Sequence, residues 1–599
     1  MGLLVIALVT IAVLVTRRLW GKFTNNPLPQ LAARPGAGVL QRLGKVRNPE
    51  RDGSPARTRA PRQSPQDCEV LVVGAGPSGL MTAALLKQQG VDVCVIDANA
   101  GPATESRAFA VQARTVELFR NLGLADELLA RGVVTNGIRF HIRGKEAGGL
   151  DFDRSKAATT PYQFILMAPQ AEVEELLLHH LARNGVTVRR GTRLVDLVQS
   201  EDAVMATLND RTVTANYVVG ADGAHSTVRA KLGLGFEGEK YAQRYLLADC
   251  TVEWPFDHAH FRVFMNRNRI GLFLPLQGKQ VSRVMVTDFD PDAPFDLARL
   301  QAELRTATNT GVTLHSPVWT SRYQVHLKKV GTYRQGRGFL VGDAAHIHSP
   351  AGGQGMNTGL HDAANLAWKL GAVLRHGAAD ALLDSYSAER HPEGVRLLKF
   401  TDRLYKVAAG LSGAKAWLRD TLGPFLIGRM SAAPLPHRRS FHRLSQLGLG
   451  YRPGEFAVNE LLYSLKGPLA GHRAPDARIN AHTHVFDLLT GYELHVVALS
   501  RRHLGTPEIT EIDRRLTAFG VSAHLVTRVE ARPDDRVHQA DSAQVFEHYG
   551  LTERDSQALY VIRPDGHVAW RADELDFEAC RRFLTRLHPG AEHPRARAA

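Results

Sequence analysis

Three short clusters carry residue types suited to holding an anionic nucleotide. They are Gly74-Ala75-Gly76-Pro77-Ser78-Gly79, Gly220-Ala221-Asp222-Gly223 and Gly342-Asp343-Ala344-Ala345-His346. Glycines let backbone N–H groups approach phosphate oxygens, and an aspartate ending a strand accepts from sugar hydroxyls. Each cluster alone is ambiguous, because a glycine fingerprint serves any dinucleotide and Asp-Gly pairs occur in ordinary turns. Their order and flanks carry the argument.

The first cluster has the elements it needs. Glu69–Val73 is a short β-branched run that reads as a strand, and Leu80–Gln89 reads as a helix ending at Gly90. Gly74 permits the tight turn, Gly76 the close approach to a pyrophosphate, and Gly79 the packing of helix on strand. Val91–Ile96 is the next strand, and Asp97 ends it where an acidic residue accepts from a ribose. The strand Tyr217–Val219 leads into Asp222, and Phe339–Val341 leads into Gly342 and Asp343.

At 599 residues the chain is long enough for two to four domains, and its 44% hydrophobic and 22% charged residues are those of a globular protein. Cys68, Cys94, Cys250 and Cys580 form no Cys-x-x-Cys pair and no metal-like spacing, which points to a reducing compartment and no metal site. Cys68 and Cys94 read as small buried residues. Gly2–Thr16 is apolar and uncharged, and Arg17, Arg18 and Lys22 follow it. Its fifteen residues give roughly 22 Å of helix, short of a ~30 Å hydrocarbon core unless Leu19 and Trp20 help and the arginines snorkel. We expect a retained single-pass anchor with the bulk of the chain cytoplasmic; a cleaved signal peptide is the alternative. Between Arg17 and Gln66 stand eleven Lys or Arg against Glu50 and Asp52, about nine of the net +14. This Pro/Arg/Gly-rich stretch reads as a tether attracted to anionic membrane lipid, with no interleaved aromatics to suggest nucleic acid.

Taken with the long run Gly336 to Gly359, the three clusters resemble the single-component flavin-dependent aromatic hydroxylases. These are the p-hydroxybenzoate/phenol hydroxylase-like monooxygenases, and in particular the branch with a thioredoxin-like C-terminal domain. The resemblance extends from about Asp67 to Leu587. It implies FAD as cofactor, NADPH or NADH as reductant, O2, and a small aromatic substrate. In this chemistry oxygen adds at C4a of the reduced flavin and the hydroperoxide attacks an activated ring, so no protein nucleophile is required and no catalytic residue is assigned. Gly74, Gly76, Gly79 and Asp97 would serve the adenosine diphosphate half, with Gly342 and Asp343 near the ribityl chain. Pro350, Gly353, Gly355, Met356 and Asn357 would border the N1–C2=O edge of the ring, where helix N-terminal amides stabilise charge developing on reduction. Arg107 and Gln170 match family residues near the cofactor, each with an ordinary reading as a solvated charge or a cap neighbour. Asp222, helped by Arg229, resembles a residue serving both FAD and nicotinamide; the alternative is an Asp-Gly turn. Asp97-Ala98 stands where relatives often have Glu-Arg, and Lys328 or Lys329 replaces a common arginine. His346 and His348 read as structural or cofactor-loop residues.

The fold class expected is α/β (α+β overall). It comprises an anchor (1–22), a tether (23–66), a Rossmann-like FAD-binding domain (67–430) with an inserted antiparallel substrate sheet at about 240–330, a connector (431–470), and a thioredoxin-like domain without Cys-x-x-Cys (471–590). Alternation over Leu246–Val252, Phe261–Phe264, Gly271–Leu276 and Val281–Val286 predicts the inserted sheet, with Phe264, Phe273, Met285, Trp319 and Tyr323 as candidates for pocket lining or plain core. Ala381–Leu422 reads as helical with breaks. The last domain suggests packing or a homodimer. Two other functions compete: an isoprenoid or quinone-pathway hydroxylase or epoxidase, favoured by the anchor, and a non-catalytic flavin-binding scaffold.

Overall fold

A computed structural model describes residues 66–589 except 103–107, 136, 153–158, 277–280, 291, 349–352, 409–412, 433, 461–462, 465 and 529–535. The anchor and the tether up to Pro65, together with Arg107 and Pro350, lie outside the described residues. Among the described residues no helix is long and apolar enough to cross a membrane.

The first sheet runs in the order Arg334–Gln335, Gly338–Leu340, Thr212–Gly220, Cys68–Val73, Val93–Ile96, Val188–Arg189, with the pair Leu194–Gln199 and Val204–Leu208 folded onto Thr212–Gly220. Its central pairs are parallel, with Val73 level with Gly220, and Gly220 with Leu340. Strands buried on both faces must be apolar throughout, and Val70, Leu71, Val72, Val218, Val219 and Phe339 are inaccessible. The first helix starts at Pro77, three residues before the expected Leu80, because proline at N1 is preorganised for the helix. The adjoining strand begins at Val93 where Val91 is expected.

The second sheet has eight strands in the order His346–Ile347, Thr313–Lys329, Glu237–Glu253, Val281–Asp288, Arg269–Pro275, Phe261–Asn266, Gly137–Ile142, Lys145–Asp151. Two of its edge strands thus come from well before the expected insertion at about 240–330. The helix Leu297–Thr308, capped by Asp296, packs on one face. Phe264 and Phe273 lie on that face with Leu300 and Leu304, so they are core and not pocket lining. Met285 lies on the opposite face with Tyr245 and Leu247, and Trp319 and Tyr323 pack against that cluster. Alternation reveals two faces but not which of them a helix covers.

Beyond the helices Gly355–His376 and Ala381–Ala408 comes Gly413–Ala432; residues 409–412, inside the stretch expected to be helical with breaks, lie outside the described residues. The third sheet runs Val458–Glu460, Val568–Ala572, Gln557–Ile562, His495–Ser500, Ser522–Thr527, Val537–Gln539. His495–Ser500 is parallel to Ser522–Thr527 and antiparallel to Gln557–Ile562, which forms a hairpin with Val568–Ala572. Val458–Glu460, in the expected connector, joins this sheet through Val568–Ala572. The hairpin turns at Gly566, whose φ of 74° suits glycine.

Candidate functional site

The three glycine clusters leave the carboxyl ends of three adjacent parallel strands, the place where open α/β sheets bind ligands. Ala221 N–H donates to Val73 O at 2.8 Å and Gly74 N–H to Ile96 O at 2.8 Å, which fixes the loops side by side. The glycines do different work. A Cβ on Gly74 (φ 106°) would meet Ala221 O at 2.4 Å, and one on Gly79 would meet Gly74 O at 1.9 Å. A Cβ on Gly76 would meet nothing within 4 Å. Gly74 and Gly79 are therefore required by the fold itself, whereas at Gly76 the protein leaves space.

The helices Pro77–Gln88 and Gly355–His376 approach through small residues. A Cβ at Gly359 would lie 3.1 Å from Gly342 Cα, and both glycines abut the Ser78 hydroxyl. Two helix N-termini and the Gly342-Asp343 turn are thereby drawn together. Neither N-cap side chain closes its helix's first turn, and neither first turn holds an acidic residue. Their N–H donors and positive dipole ends suit an anionic ligand. Asp343 is exposed at the end of its strand, in a short turn of 3-10 helix.

Beneath that turn lies a charge cluster that sequence reasoning missed. His346 Nε2 donates to Asp362 Oδ2 at 2.7 Å, Gly342 N–H to the same oxygen at 3.2 Å, and Arg390 Nε to Asp362 Oδ1 at 2.8 Å. Burial alone would raise the Asp362 carboxyl, but Arg390 and His346 hold it below the ordinary carboxylate range. Tyr386 Oη donates to Leu340 O at 2.7 Å. No sequence motif joins these residues; only the crossing of two helices over the strand end does.

The other expected residues divide. Asp97 Oδ2 accepts from Ala75 N–H at 2.7 Å and Oδ1 from Asn99 N–H at 2.8 Å, so its carboxylate braces the glycine loop. The Asp222 carboxylate accepts from the Ser226 hydroxyl and from the N–H groups of Thr227 (2.6 Å) and Val228 (3.1 Å), capping Thr227–Lys231. Burial lifts this carboxyl, and those donors offset part of the rise. Arg229 donates to Ala344 O at 3.1 Å and Ala224 O at 2.9 Å, joining the second cluster to the third. Gln170 Oε1 accepts from Ala108 N–H at 3.3 Å, beside the segment containing Arg107. Asn357 is inaccessible; its Oδ1 accepts from Gln112 N–H at 2.8 Å while Nδ2 donates to Ala110 O (2.7 Å) and Gly353 O (2.8 Å). Its side chain therefore tethers the Gly353 loop, and only its main chain is left for a ligand. Gly353 has φ 61°, Gly355 opens the long helix, and Met356 is buried behind it. Cys94 is half-buried and not wholly enclosed as expected.

Beside the Gly353 loop, Phe109 joins Leu274 of the second sheet and Phe441 in one buried apolar cluster, and Tyr245, Leu247 and Met285 of the sheet lie in the next. Between them the inaccessible Arg283 forks onto Asp249 at 2.7 and 2.8 Å, and Trp319 Nε1 donates to the same carboxylate at 2.8 Å. The Arg283 guanidinium stands 5.6 Å from the Phe109 ring centroid. This side of the sheet is thus aromatic and aliphatic with one buried ion pair, a composition suited to a flat apolar guest.

Residues 67–401 match the family described as FAD binding domain, and residues 467–588 the family described as aromatic-ring hydroxylase, C-terminal. The chain is 30% identical to pentachlorophenol 4-monooxygenase of Sphingobium chlorophenolicum over 532 residues, 86% of this chain and 95% of that one. It is 36% identical over 412 residues to 6-methylpretetramide 4-monooxygenase of Streptomyces rimosus, 67% of this chain and 72% of that one. Among solved structures it is similar to a ternary complex of aklavinone-11 hydroxylase with FAD and aklavinone, with TM-score 0.69 and 26% identity over 88% of this chain and 100% of that one.

Proposed function

From a chain that belongs to the FAD-dependent aromatic-ring hydroxylases, and is an FAD-dependent monooxygenase using NAD(P)H and O2 on an aromatic substrate, we propose a specific division of labour among its residues. The observation that carries it is the contrast at the glycines: the fold forbids a side chain at Gly74 and Gly79, while the space at Gly76 is unused by the protein. Gly76 and the N-terminus of Pro77–Gln88 would hold the pyrophosphate of FAD. Asp343 would accept from the ribityl hydroxyls, and the main chain of Gly353, Gly355, Met356 and Asn357 would donate to the pyrimidine edge of the ring. Arg107, Gln170, Asp222 and Pro350 complete the proposed set as family matches. Asp97 and Asp222 would act through the loops they brace.

Bound FAD supplies the electron path from NAD(P)H to O2; the protein supplies orientation and a dry chamber. The apolar clusters around Met285 and Phe109 support a polycyclic aromatic substrate, in line with the likeness to 6-methylpretetramide 4-monooxygenase and to the complex of aklavinone-11 hydroxylase with aklavinone. The strand order of the third sheet, a parallel pair followed by an antiparallel hairpin, supports a thioredoxin-like C-terminal domain within 471–590, with Val458–Glu460 added at its edge. We propose further that residues 1–22 anchor the enzyme to a membrane with 67–430 on the cytoplasmic side, on the apolar run and its arginines.

The test is NAD(P)H oxidation by the purified flavoprotein across phenols and polycyclic aromatics, with oxygenated product measured. Stimulation with product is expected for polycyclic compounds. Stimulation confined to prenylated phenols or squalene would overturn the substrate assignment.

A further inference from the structure

Two consecutive helices after the FAD-binding region, Gly413–Ala432 and Pro434–Leu444, carry more apolar and cationic surface than the pocket needs. Trp417 and Phe425 are 61% and 64% exposed, and Met430 is 46% exposed. Trp417, Thr421 and Phe425 recur every four residues, forming one stripe along the helix. From Gly413 to Gly454 there are seven Lys or Arg and a single acid, Asp420. Asp420 is buried, accepting from Arg419 Nε at 2.9 Å and from Arg267 N–H at 2.8 Å. The exposed charge on these helices is therefore all positive: Lys415 and Arg429 on the first, Arg438, Arg439 and Arg443 on the second. A surface that alternates large apolar groups with cations and exposes no anion complements an anionic, apolar partner, which is the description of an acidic lipid bilayer. The first 66 residues repeat the same chemistry independently, with an uncharged apolar run followed by eleven cations and two acids.

The inner sides of the same helices pack on the second sheet, beside the apolar cluster assigned above to the substrate. Gly149 N–H donates to Ser431 Oγ at 2.8 Å, and Asp151 N–H lies 2.9 Å from His437 Nδ1, which fixes both helices to the edge strand Lys145–Asp151. Phe441 is inaccessible, its ring tilted against that of Phe152 at 5.2 Å between centroids, in the cluster that contains Phe109 and Leu274. One pair of helices thus has an outer face suited to lipid and an inner face on the pocket.

We propose that Gly413–Ala432 and Pro434–Leu444 dock on an acidic lipid surface through Trp417, Phe425 and the flanking cations, so that apolar aromatic substrate enters the chamber from the bilayer. The docking stands independently of the N-terminal anchor, and the entry route rests on the aromatic-hydroxylase reading. Full-length FAD-loaded protein would be mixed with phosphatidylglycerol vesicles whose acyl chains carry bromine, and tryptophan quenching measured. In a Trp20→Phe background, where the N-terminal anchor contributes no tryptophan signal, the protein should be quenched, and adding Trp417→Phe should remove most of that quenching. In a full-length background whose anchor is disabled by Leu8→Arg/Leu14→Arg, adding Trp417→Ser/Phe425→Ser should weaken binding to these vesicles at least about tenfold, and replacing phosphatidylglycerol by phosphatidylcholine should weaken binding of the background comparably. NAD(P)H oxidation with a water-soluble phenol, without vesicles, should be the same in wild type and Trp417→Ser/Phe425→Ser. That assay reports on the hydroxylase reading separately, and on folding. Quenching that survives Trp20→Phe/Trp417→Phe, or, with the anchor disabled, a Trp417→Ser/Phe425→Ser variant that loses self-association while its vesicle binding is unchanged, would overturn the proposal.

Discussion

The cofactor cradle and the seam between the FAD-binding region and the C-terminal sheet are both rich in polar groups, yet they treat them oppositely. In the cradle the chain leaves donors and space open at Gly76 and at two helix N-termini. In the seam it closes charges on one another. Arg563 donates to both Glu389 oxygens at 2.8 and 3.1 Å, Lys369 Nζ donates to Glu389 at 2.9 Å and to Asn365 at 2.8 Å, and Arg473 Nε donates to Glu117 at 2.7 Å. Asn365 Nδ2 also reaches Asp565 in the Arg563–His567 turn at 3.2 Å. Groups satisfied by the chain hold domains together; groups left unsatisfied wait for a ligand. The seam nonetheless serves the cradle, because Glu389 precedes Arg390, and Asn365 lies one turn beyond Asp362 on the helix that the cradle uses.

The largest effect should come from breaking the seam. Glu389→Ala would leave buried Lys369 without its carboxylate partner and Arg563 with Asp565 alone, and cost on the order of 3–5 kcal/mol, read as a lower urea midpoint. The contrast also predicts a pH signature. Burial alone would raise the Glu389 carboxyl, but Arg563 and Lys369 bring it down to about 2. Its stabilisation is thus complete above the ordinary carboxylate pKa of 4.5 and lost as pH falls through about 2. Burial, with Arg563, lowers Lys369 to about 8 against the pull of Glu389. The penalty of its charged form is present in full below about 8 and fades as pH rises towards 10.5. Urea midpoints across both windows would check the two slopes; a flat profile in Lys369→Met above pH 8 would assign the upper one.

In the cradle, Gly79→Ala should cost about 1–3 kcal/mol and release flavin, since its methyl cannot avoid the Gly74 carbonyl. Melting and flavin absorbance should fall together. Smaller still is the contrast between the two faces of the second sheet. Met285→Ala should raise KM for the aromatic substrate by about tenfold or less, the scale of a few lost methylenes in an apolar pocket. Phe264→Leu, on the helix-covered face, should lower stability with KM unchanged.

Much of the cradle was legible because its constraints are local: a glycine that must turn, a strand that must feed it, and an aspartate at the strand's end. What escaped was set by distant packing. Asn357 and Asp97 sit where expected, but their side chains serve neighbouring backbone, a choice that depends on Gln112, Ala110 and Ala75 coming close. The Asp362, Arg390 and His346 cluster, and the Arg563 to Glu389 pair spanning 174 residues, have no sequence period to betray them. The substrate sheet was recognised by alternation, but the hairpin Gly137–Asp151 lay outside the expected segment because it joins the sheet through a parallel pairing of Gly137–Ile142 with Phe261–Asn266, which leaves no hairpin between them.

The central claim is that the unused space at Gly76 belongs to the pyrophosphate of FAD. Titration of FAD into apoprotein, wild type against Gly76→Val, tests it most directly, with the apoprotein melting curve as the control. The account predicts unchanged apoprotein melting and FAD affinity at least about tenfold weaker, equivalent to about 1.4 kcal/mol. Equal affinity in a variant that melts like the wild type would contradict it.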